Sequence, residues 1–179
     1  VFGWFSSSTY ATFGARVVPI TPSRIFDSRE AAFGATPLGA TQERAVPIRG
    51  AQANGAEVVP NSTNVVGVVL NITAVNNLPG SAPTYLALNP QATAAGVEPS
   101  TSNINVRNNQ FRSSLAIVPV GADGNVHLYN RAGTAHAILD VVGYLVKGVD
   151  PLTRQGRIIP LVAPFRAFDT RQAVSGGAP

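Results

Sequence analysis

Apolar residues in this chain occur in short runs rich in β-branched side chains, and nearly every run is bounded by Gly, Pro, Asn or Ser. Runs of this kind are typical of β-strands, and no window shows three turns of helical periodicity. Many short strands separated by turn signals indicate an all-β fold, and we predict an antiparallel β-sandwich of the jelly-roll or immunoglobulin-like kind. The predicted strands lie near residues 1–5, 16–20, 24–28, 43–49, 65–75, 84–89, 103–107, 113–120, 125–130, 136–146, 157–162 and 166–170.

Three local features refine this prediction. The run 65–75 is long and continuous, which indicates a central strand that is buried on both faces or carries a bulge at Gly67. An Asp-Gly pair at 123–124 predicts a tight hairpin that joins strands 113–120 and 125–130. Prolines inside strand-like runs cannot donate to a ladder, so strand ends, edges or bulges are predicted at Pro19, Pro47, Pro119 and Pro160.

The chain begins and ends with similar sequence. Asp27 and Asp169 occupy corresponding places in two related hexapeptides and are 142 residues apart (169 − 27 = 142). A fixed self-similarity period is the mark of a tandem array, and here the offset slips by only two residues, from 142 for the hexapeptides to 140 for the segments at 1–5 and 141–145. The matching segments are RVVPI (16–20) with RIIPL (157–161), RIFDSR (24–29) with RAFDTR (166–171), and VFGWF (1–5) with VVGYL (141–145).

This self-similarity predicts the domain organisation. Residues 1–15 are expected to end a preceding repeat and to supply a junction strand, and residues 16–146 to form one complete β-sandwich repeat. Residues 147–179 are expected to form a linker and the start of the next repeat. We predict that the apolar segments 1–5 and 157–171 bury much of their surface against a neighbouring copy or an adjacent repeat, because isolated strand edges are avoided in soluble proteins.

Composition and charge narrow the classes of function. Of the 179 residues 12% are charged and 45% are hydrophobic, so the chain can bury a core and is not disordered. The 13 cationic residues give a net charge of +4 but form no basic block, so we expect no nucleic-acid partner. There is no run of about 18 apolar residues, so no membrane span is expected. Absence of cysteine fits, without proving, an extracellular protein that needs no disulfide.

The hexapeptide at 24–29 is the strongest candidate for local chemistry. In a strand Phe26 faces one side while Asp27 and Arg29 share the other, so the carboxylate can pair with Arg29, or with Arg24 if the chain bends. One carboxylate per repeat is too few for calcium, and acid–base catalysis needs a second titratable group. We therefore predict a junction ion pair, with no catalytic residue, metal or cofactor. The predicted junction set is Trp4, Phe5, Arg24, Asp27, Arg29, Ile158, Leu161, Arg166, Asp169 and Arg171.

Other candidate sites are weaker. His127 and His136 are the only histidines, and without cysteine they do not make a zinc site, so core or surface roles are favoured. Two glycosylation sequons occur, of which the one at Asn61 lies in a predicted loop and the one at Asn71 in a strand. The main aromatic residues are expected to be core or interface anchors, with a sugar-stacking platform as the alternative: Trp4, Tyr10, Phe13, Tyr85 and Tyr129.

Four motifs in series carry a family resemblance: RIFDSR (24–29), VLNITA (69–74), PSTSNIN (99–105) and LDVVGYL (139–145). Together they resemble the repeat found in large secreted and cell-surface proteins of actinobacteria and neighbouring phyla. The resemblance spans residues 16–146 and implies an extracellular β-sandwich module, often in tandem or appended to hydrolases, with no established catalytic residues. Phe26 stands where the family usually has an aliphatic residue.

These observations predict a structural role at the cell surface or outside the cell. Matching junction sequences at both ends imply a heterologous, non-closing contact, which generates filaments of adjacent repeats or of copies of this chain. We therefore expect a structural repeat of an extracellular fibre, stalk or surface layer that assembles head to tail, and not an enzyme. The alternative is a carbohydrate- or cell-wall-binding module that uses aromatics and arginines to hold surface glycans.

Overall fold

The chain folds into two antiparallel β-sheets packed face to face, in a computed structural model that describes residues 3–5, 14–147 and 158–161. The strands are β1 (Gly3–Phe5), β2 (Ala15–Asp27), β3 (Gln42–Pro47), β4 (Gln52–Ala53), β5 (Ala56–Glu57), β6 (Val65–Asn76), β7 (Thr84–Asn89), β8 (Ile104–Val106), β9 (Gln110–Pro119), β10 (Asn125–Asn130), β11 (His136–Lys147) and β12 (Ile158–Pro160). The larger sheet has the strand order β1-β12-β2-β11-β6-β9, the smaller sheet has the order β3-β10-β7-β8, and β4 and β5 form a separate ribbon. The predicted all-β antiparallel sandwich is confirmed.

Most predicted strands are found within one to three residues of their predicted ends. The runs 16–20 and 24–28 are not separate, because β2 continues through both of them. Its prolines are tolerated where the register with β11 shifts between Val141 and Gly143. Pro47, Pro119 and Pro160 each end a strand, as predicted. The predicted strand at 166–170 lies outside the described residues.

The predicted hairpin between strands 113–120 and 125–130 is wrong. A tight turn does form, with the Gly124 N–H donating to the Gly121 carbonyl at 3.0 Å and Gly124 at a φ of 86°. However, β9 pairs with β6, whereas β10 lies between β3 and β7 in the other sheet. Turn chemistry fixes the local reversal, but burial of apolar faces decides which sheet the next strand joins.

Short elements were not predicted. The β4–β5 ribbon turns at Asn54 and Gly55, both with positive φ, but its two-residue strands are too short to leave a periodic signal. A 3₁₀ helix covers Ala31–Phe33 and ends at Gly34. Among the residues that the structure describes, no helix is long and apolar enough to cross a membrane.

The main core lies between the two sheets, and β6 contributes to both faces of its sheet. Val68 and Leu70 belong to the core between the sheets, whereas Val69, which points the opposite way, packs in a second cluster with Ala15 and Leu145. The strand is therefore buried on both faces in this part, as predicted. The register with β11 also shifts between Leu145 and Val146, beside Gly67, so the predicted irregularity is present as well.

Candidate junction site

A bulge at the end of β2 brings the charged residues of the 24–29 motif together. Phe26 lies opposite Leu139 and Arg24 lies opposite Asp140, so Ile25 is an extra residue in the ladder with β11. The bulge interrupts the alternation of side chains. As a result Ile25 and Phe26 are both buried, and Arg24 meets Asp27 three residues further on.

Asp27 is the centre of the site. Its carboxylate is fully buried and accepts hydrogen bonds from Arg29 Nε at 2.8 Å, Arg29 Nη2 at 2.6 Å and the Arg29 backbone N–H at 3.0 Å. Arg24 Nη1 donates to Asp27 Oδ2 at 3.4 Å, and Arg24 Nε donates to Asp140 Oδ1 at 2.9 Å. The predicted pairing of Asp27 with Arg29 is confirmed, and the pairing with Arg24 occurs as well.

The electrostatics of this network favour the charged forms. The side-chain hydrogen bonds from Arg29 are the main reason that the pKa of Asp27 is lowered. The hydrogen bond to Asp140 is likewise the main cause of the raised pKa of Arg24. The network therefore carries alternating charges from Arg29 through Asp27 and Arg24 to Asp140, and it ties β2 to β11.

A serine–histidine contact adjoins the network. Ser28 Oγ lies 2.8 Å from His136 Nδ1 and accepts the Ala137 N–H at 3.0 Å. Burial first, and then the charge of Arg29, lowers the pKa of His136. Ser28 is fully buried and out of reach of a substrate. The contact is therefore a tie between the end of β2 and the start of β11.

The predicted junction set is only partly brought together. Arg24, Asp27 and Arg29 meet, while Ile158 is half-buried and packs against the second apolar cluster of its own chain, and Leu161 is half-buried. The backbones of Trp4 and Phe5 form β1. Outside the described residues lie the side chains of Trp4 and Phe5, and all of Arg166, Asp169 and Arg171.

Sequence reasoning missed three members of the site: Asp140, Ser28 and His136. Asp140 offered a signal, since it is a single carboxylate inside the apolar run 139–145. Ser28 and His136 offered none, because they are 108 residues apart and meet only through the pairing of β2 with β11.

The two terminal strands repeat a pairing found inside the domain. In β1 and β12, Gly3 lies opposite Pro160, Trp4 opposite Ile159 and Phe5 opposite Ile158. The corresponding residues of β11 and β2 pair in the same register, namely Gly143 with Pro19, Tyr144 with Val18 and Leu145 with Val17. Strand β12 then joins the sheet beside β2, with Ile158 opposite Ala15. The self-similarity of the sequence is thus matched by a repeated strand pairing.

The remaining candidates have ordinary surroundings. Asn61 is exposed in the loop between β5 and β6, where a glycan would have room, and Asn71 lies within β6. His127 is buried, with Nε2 3.0 Å from Asp123 Oδ2 and Nδ1 3.3 Å from Glu43 Oε1. Within the described parts of the chain, no group of three His, Cys, Asp or Glu residues is arranged to hold a metal ion.

The tyrosine pair does not form a sugar-stacking platform. The rings of Tyr85 and Tyr129 are 6.3 Å apart, but Tyr129 is only 3% exposed and the Tyr85 hydroxyl donates to the Pro99 carbonyl at 3.0 Å. The alternative prediction is therefore wrong for this pair. Trp4, Tyr10 and Phe13 have side chains outside the described residues.

Comparison with models of known protein families and with characterised proteins finds no match to this chain.

Proposed function

We propose that this chain is a structural repeat of an extracellular fibre, stalk or surface layer, in which repeats join head to tail. The observation that carries the proposal is the register shared by β1–β12 and β11–β2. In the proposed array, β1 ends one repeat and β12 begins the next, and these two strands pair as β11 and β2 do at the two ends of a single repeat. The last strand of any repeat is therefore complementary to the first strand of any other.

The polar contacts around Asp27, which we call the junction network, support this proposal because they lie at the pairing of β2 with β11. Arg24 on β2 bonds both to Asp27 and to Asp140 on β11, and Ser28, the residue after β2, is hydrogen-bonded to His136 on β11. The network thus fixes the register of the first strand of a repeat against the last. The hexapeptide that supplies it returns at 166–171, where a following repeat would need it.

Assembly of the chain tests the proposal. We expect end-to-end oligomers at high concentration in light scattering and negative-stain electron microscopy, through pairing of β1 of one copy with β12 of the next. Trp4→Pro removes a ladder donor from β1 and should abolish these oligomers. Loss of assembly in this variant, with an unchanged domain by circular dichroism, is the expected result.

A matched control addresses the other exposed edge. Strand β9 is ten residues long, ends the larger sheet and exposes Phe111 and Leu115. Such an edge can pair non-specifically, and Leu115→Lys should block it. If Leu115→Lys abolishes assembly while Trp4→Pro leaves it intact, the contact is an edge association and the head-to-tail proposal is wrong.

A further inference from the structure

One end of the sandwich holds a groove lined by arginine. It has a volume of about 640 Å³ and lies where β8 turns into β9 and where β10 ends. Its principal polar lining residues are Arg107, Arg112, Arg131, Tyr85, Asn105 and Gln110. Arg107 and Arg112 lie on either side of the turn between β8 and β9, and the fold brings Arg131, 19 residues beyond Arg112, beside them (131 − 112 = 19).

The groove carries an excess of positive charge. Arg131 is paired with Glu98, whose Oε2 is 3.2 Å from Arg131 Nε, and both side chains are half exposed. Among the described residues, Arg107 and Arg112 form no ion pair, and both are exposed. Two guanidinium groups are therefore available to a ligand, and a third is held in place by a carboxylate.

The backbone beneath these arginines is held in place by hydrogen bonds. The side-chain Nδ2 of buried Asn76 donates to the Arg107 carbonyl at 3.1 Å, and the backbone carbonyl of Asn76 accepts the Asn109 N–H at 2.7 Å. The Arg107 N–H donates to Gln110 Oε1 at 3.1 Å. The Arg131 N–H donates to the Tyr85 carbonyl. A groove whose frame is ordered before binding loses less conformational entropy when a ligand enters.

Protection of a sheet edge does not account for the arrangement. A charged side chain on an edge strand commonly prevents pairing with other chains, and Arg112 on β9 fits that role. Arg107 directly follows the edge strand β8 and Arg131 follows the inner strand β10, so neither lies within an edge strand. Their convergence with Arg112 needs another explanation.

We infer that this groove binds an acidic glycan, a sugar chain that carries carboxylate, sulfate or phosphate groups. Guanidinium groups match such anions with paired hydrogen bonds, and the neighbouring amides of Asn105 and Gln110 suit sugar hydroxyls. An acidic peptide would instead need an apolar pocket for an anchoring side chain. The apolar lining consists of Pro83 and Val106, and Val106 is itself buried. The inference is independent of head-to-tail assembly.

Calorimetric titration of the full chain tests the inference and separates the sources of charge. The probes are an oligogalacturonate for carboxylate, a heparin-derived hexasaccharide for sulfate and an oligo(glycerol phosphate) for phosphate. Maltohexaose is the neutral control, and an oligoglutamate of equal charge represents a peptide. At least one acidic glycan should bind, more weakly at high salt, while maltohexaose should not.

Charge-removing variants locate the site. Arg107→Gln and Arg112→Gln should each weaken the affinity about tenfold, which corresponds to the loss of one charge-assisted hydrogen bond. Arg16→Gln is the matched control, since Arg16 is exposed on β2 and does not line the groove. Circular dichroism confirms folding, and Arg112→Lys keeps the charge but loses the fork, so it should weaken binding less than Arg112→Gln.

Three results would overturn the inference: no acidic glycan binds, the oligoglutamate binds as tightly as the best glycan, or Arg16→Gln weakens binding as much as the groove variants. Assembly should be unchanged in Arg107→Gln. The inference and the proposed fibre function can therefore fail separately.

Discussion

The Asp27 carboxylate has no contact with solvent, yet the two arginines that hold it are nearly half exposed. A buried charge is costly unless its oxygens are hydrogen-bonded, and here both oxygens are occupied by Arg29 and one of them also by Arg24. The arginines keep part of their hydration, so less desolvation opposes the pairing than in a fully buried ion pair. This combination gives a fixed polar node at the end of β2.

Replacing Asp27 tests the strength of this node. Asp27→Asn keeps the shape of the side chain but removes the charge, and we expect the free energy of unfolding to fall by about 2 kcal/mol, the range for hydrogen bonds to charged groups. For a chain of this size the melting temperature should fall by about 4–8 °C. Asp140→Asn is the control. The Asp140 side chain is 22% exposed, so this change should lower the free energy of unfolding by less than about 1 kcal/mol. Equal effects of the two changes would contradict a special role for Asp27.

His136 makes stability depend on pH. Because its pKa is lowered in the folded state, the neutral ring is favoured there, and the unfolded chain takes up a proton first as the pH falls. Its contribution is therefore complete above the ordinary value of about 6.5 and is lost as the pH falls from there through the lower folded pKa. Asp27, Arg29 and Arg44 are the charged groups that act on the ring.

Thermal melts between pH 7.5 and 5 measure this effect. The unmodified chain should lose stability across that interval, and His136→Asn should lose less, since it has no proton to gain. His127→Asn serves as the comparison at the other histidine. A pH dependence unchanged by His136→Asn would contradict the assignment.

At the scale of elements, apolar patterning allowed most strands to be predicted, and local rules failed where long-range packing decides. The run 65–75 could be assigned because burial on both faces produces a continuous apolar segment. The hairpin at 123–124 was wrong because turn residues do not specify the sheet of the following strand. At the site, strand alternation predicted the pairing of Asp27 with Arg29, but β2 ends at Asp27 and the pair forms within the turn that follows. Asp140 stood out as a single carboxylate in an apolar run, but it could not be assigned as the partner of Arg24, because the bulge at Ile25 depends on the register with β11.

The pairing of β6 with β11, which places Gly67 opposite Leu145, explains why residue 67 is a glycine. A Cβ at this position would lie 2.6 Å from Leu145 Cδ1, and Leu145 is fully buried in the second apolar cluster. The Leu145 side chain occupies the space that a side chain at residue 67 would need. The close approach, rather than a turn, requires glycine here.

Gly67→Ala should therefore destabilise the domain by about 1–3 kcal/mol, the usual cost of overpacking. Adding Leu145→Val to Gly67→Ala should cost less than the sum of the two single changes, since the shorter side chain makes room. Gly39→Ala is the control, because its added methyl group would meet only the flexible Gln42 side chain. Chemical denaturation gives the free energy of unfolding of the two single variants, the double variant and the control. Additive effects of Gly67→Ala and Leu145→Val would contradict the clash.

At the scale of the whole molecule, the strands at the two ends of residues 15–147, β2 and β11, are neighbours in one sheet. Strand β2 pairs with β11 along most of its length, so this segment is closed by its own ends, as the proposed repeat requires. A strand pair that closes a repeat can also be formed by ends of different repeats, because the same register serves both. Exchange of β1 or β12 between copies would join the copies into a linear array, and the contacts between copies would be the same strand pairing that is found within one chain.

Engineered disulfides distinguish pairing within one copy from pairing between copies. The chain has no cysteine, so two introduced cysteines can react only with each other or with their counterparts in another copy. Trp4 and Ile159 are directly opposite in β1 and β12, and antiparallel partners lie within the distance that a disulfide spans. Trp4→Cys with Ile159→Cys should give cross-linked monomers at low concentration, as the pairing within one chain allows, and a ladder of cross-linked oligomers that lengthens as the protein concentration rises, on a non-reducing gel. Val18→Cys with Tyr144→Cys, the corresponding pair of β2 and β11, should give monomers at every concentration, because these strands pair along most of their length within one chain. If the Trp4/Ile159 disulfide also forms only within monomers, β1 and β12 belong to one closed copy and do not link copies head to tail.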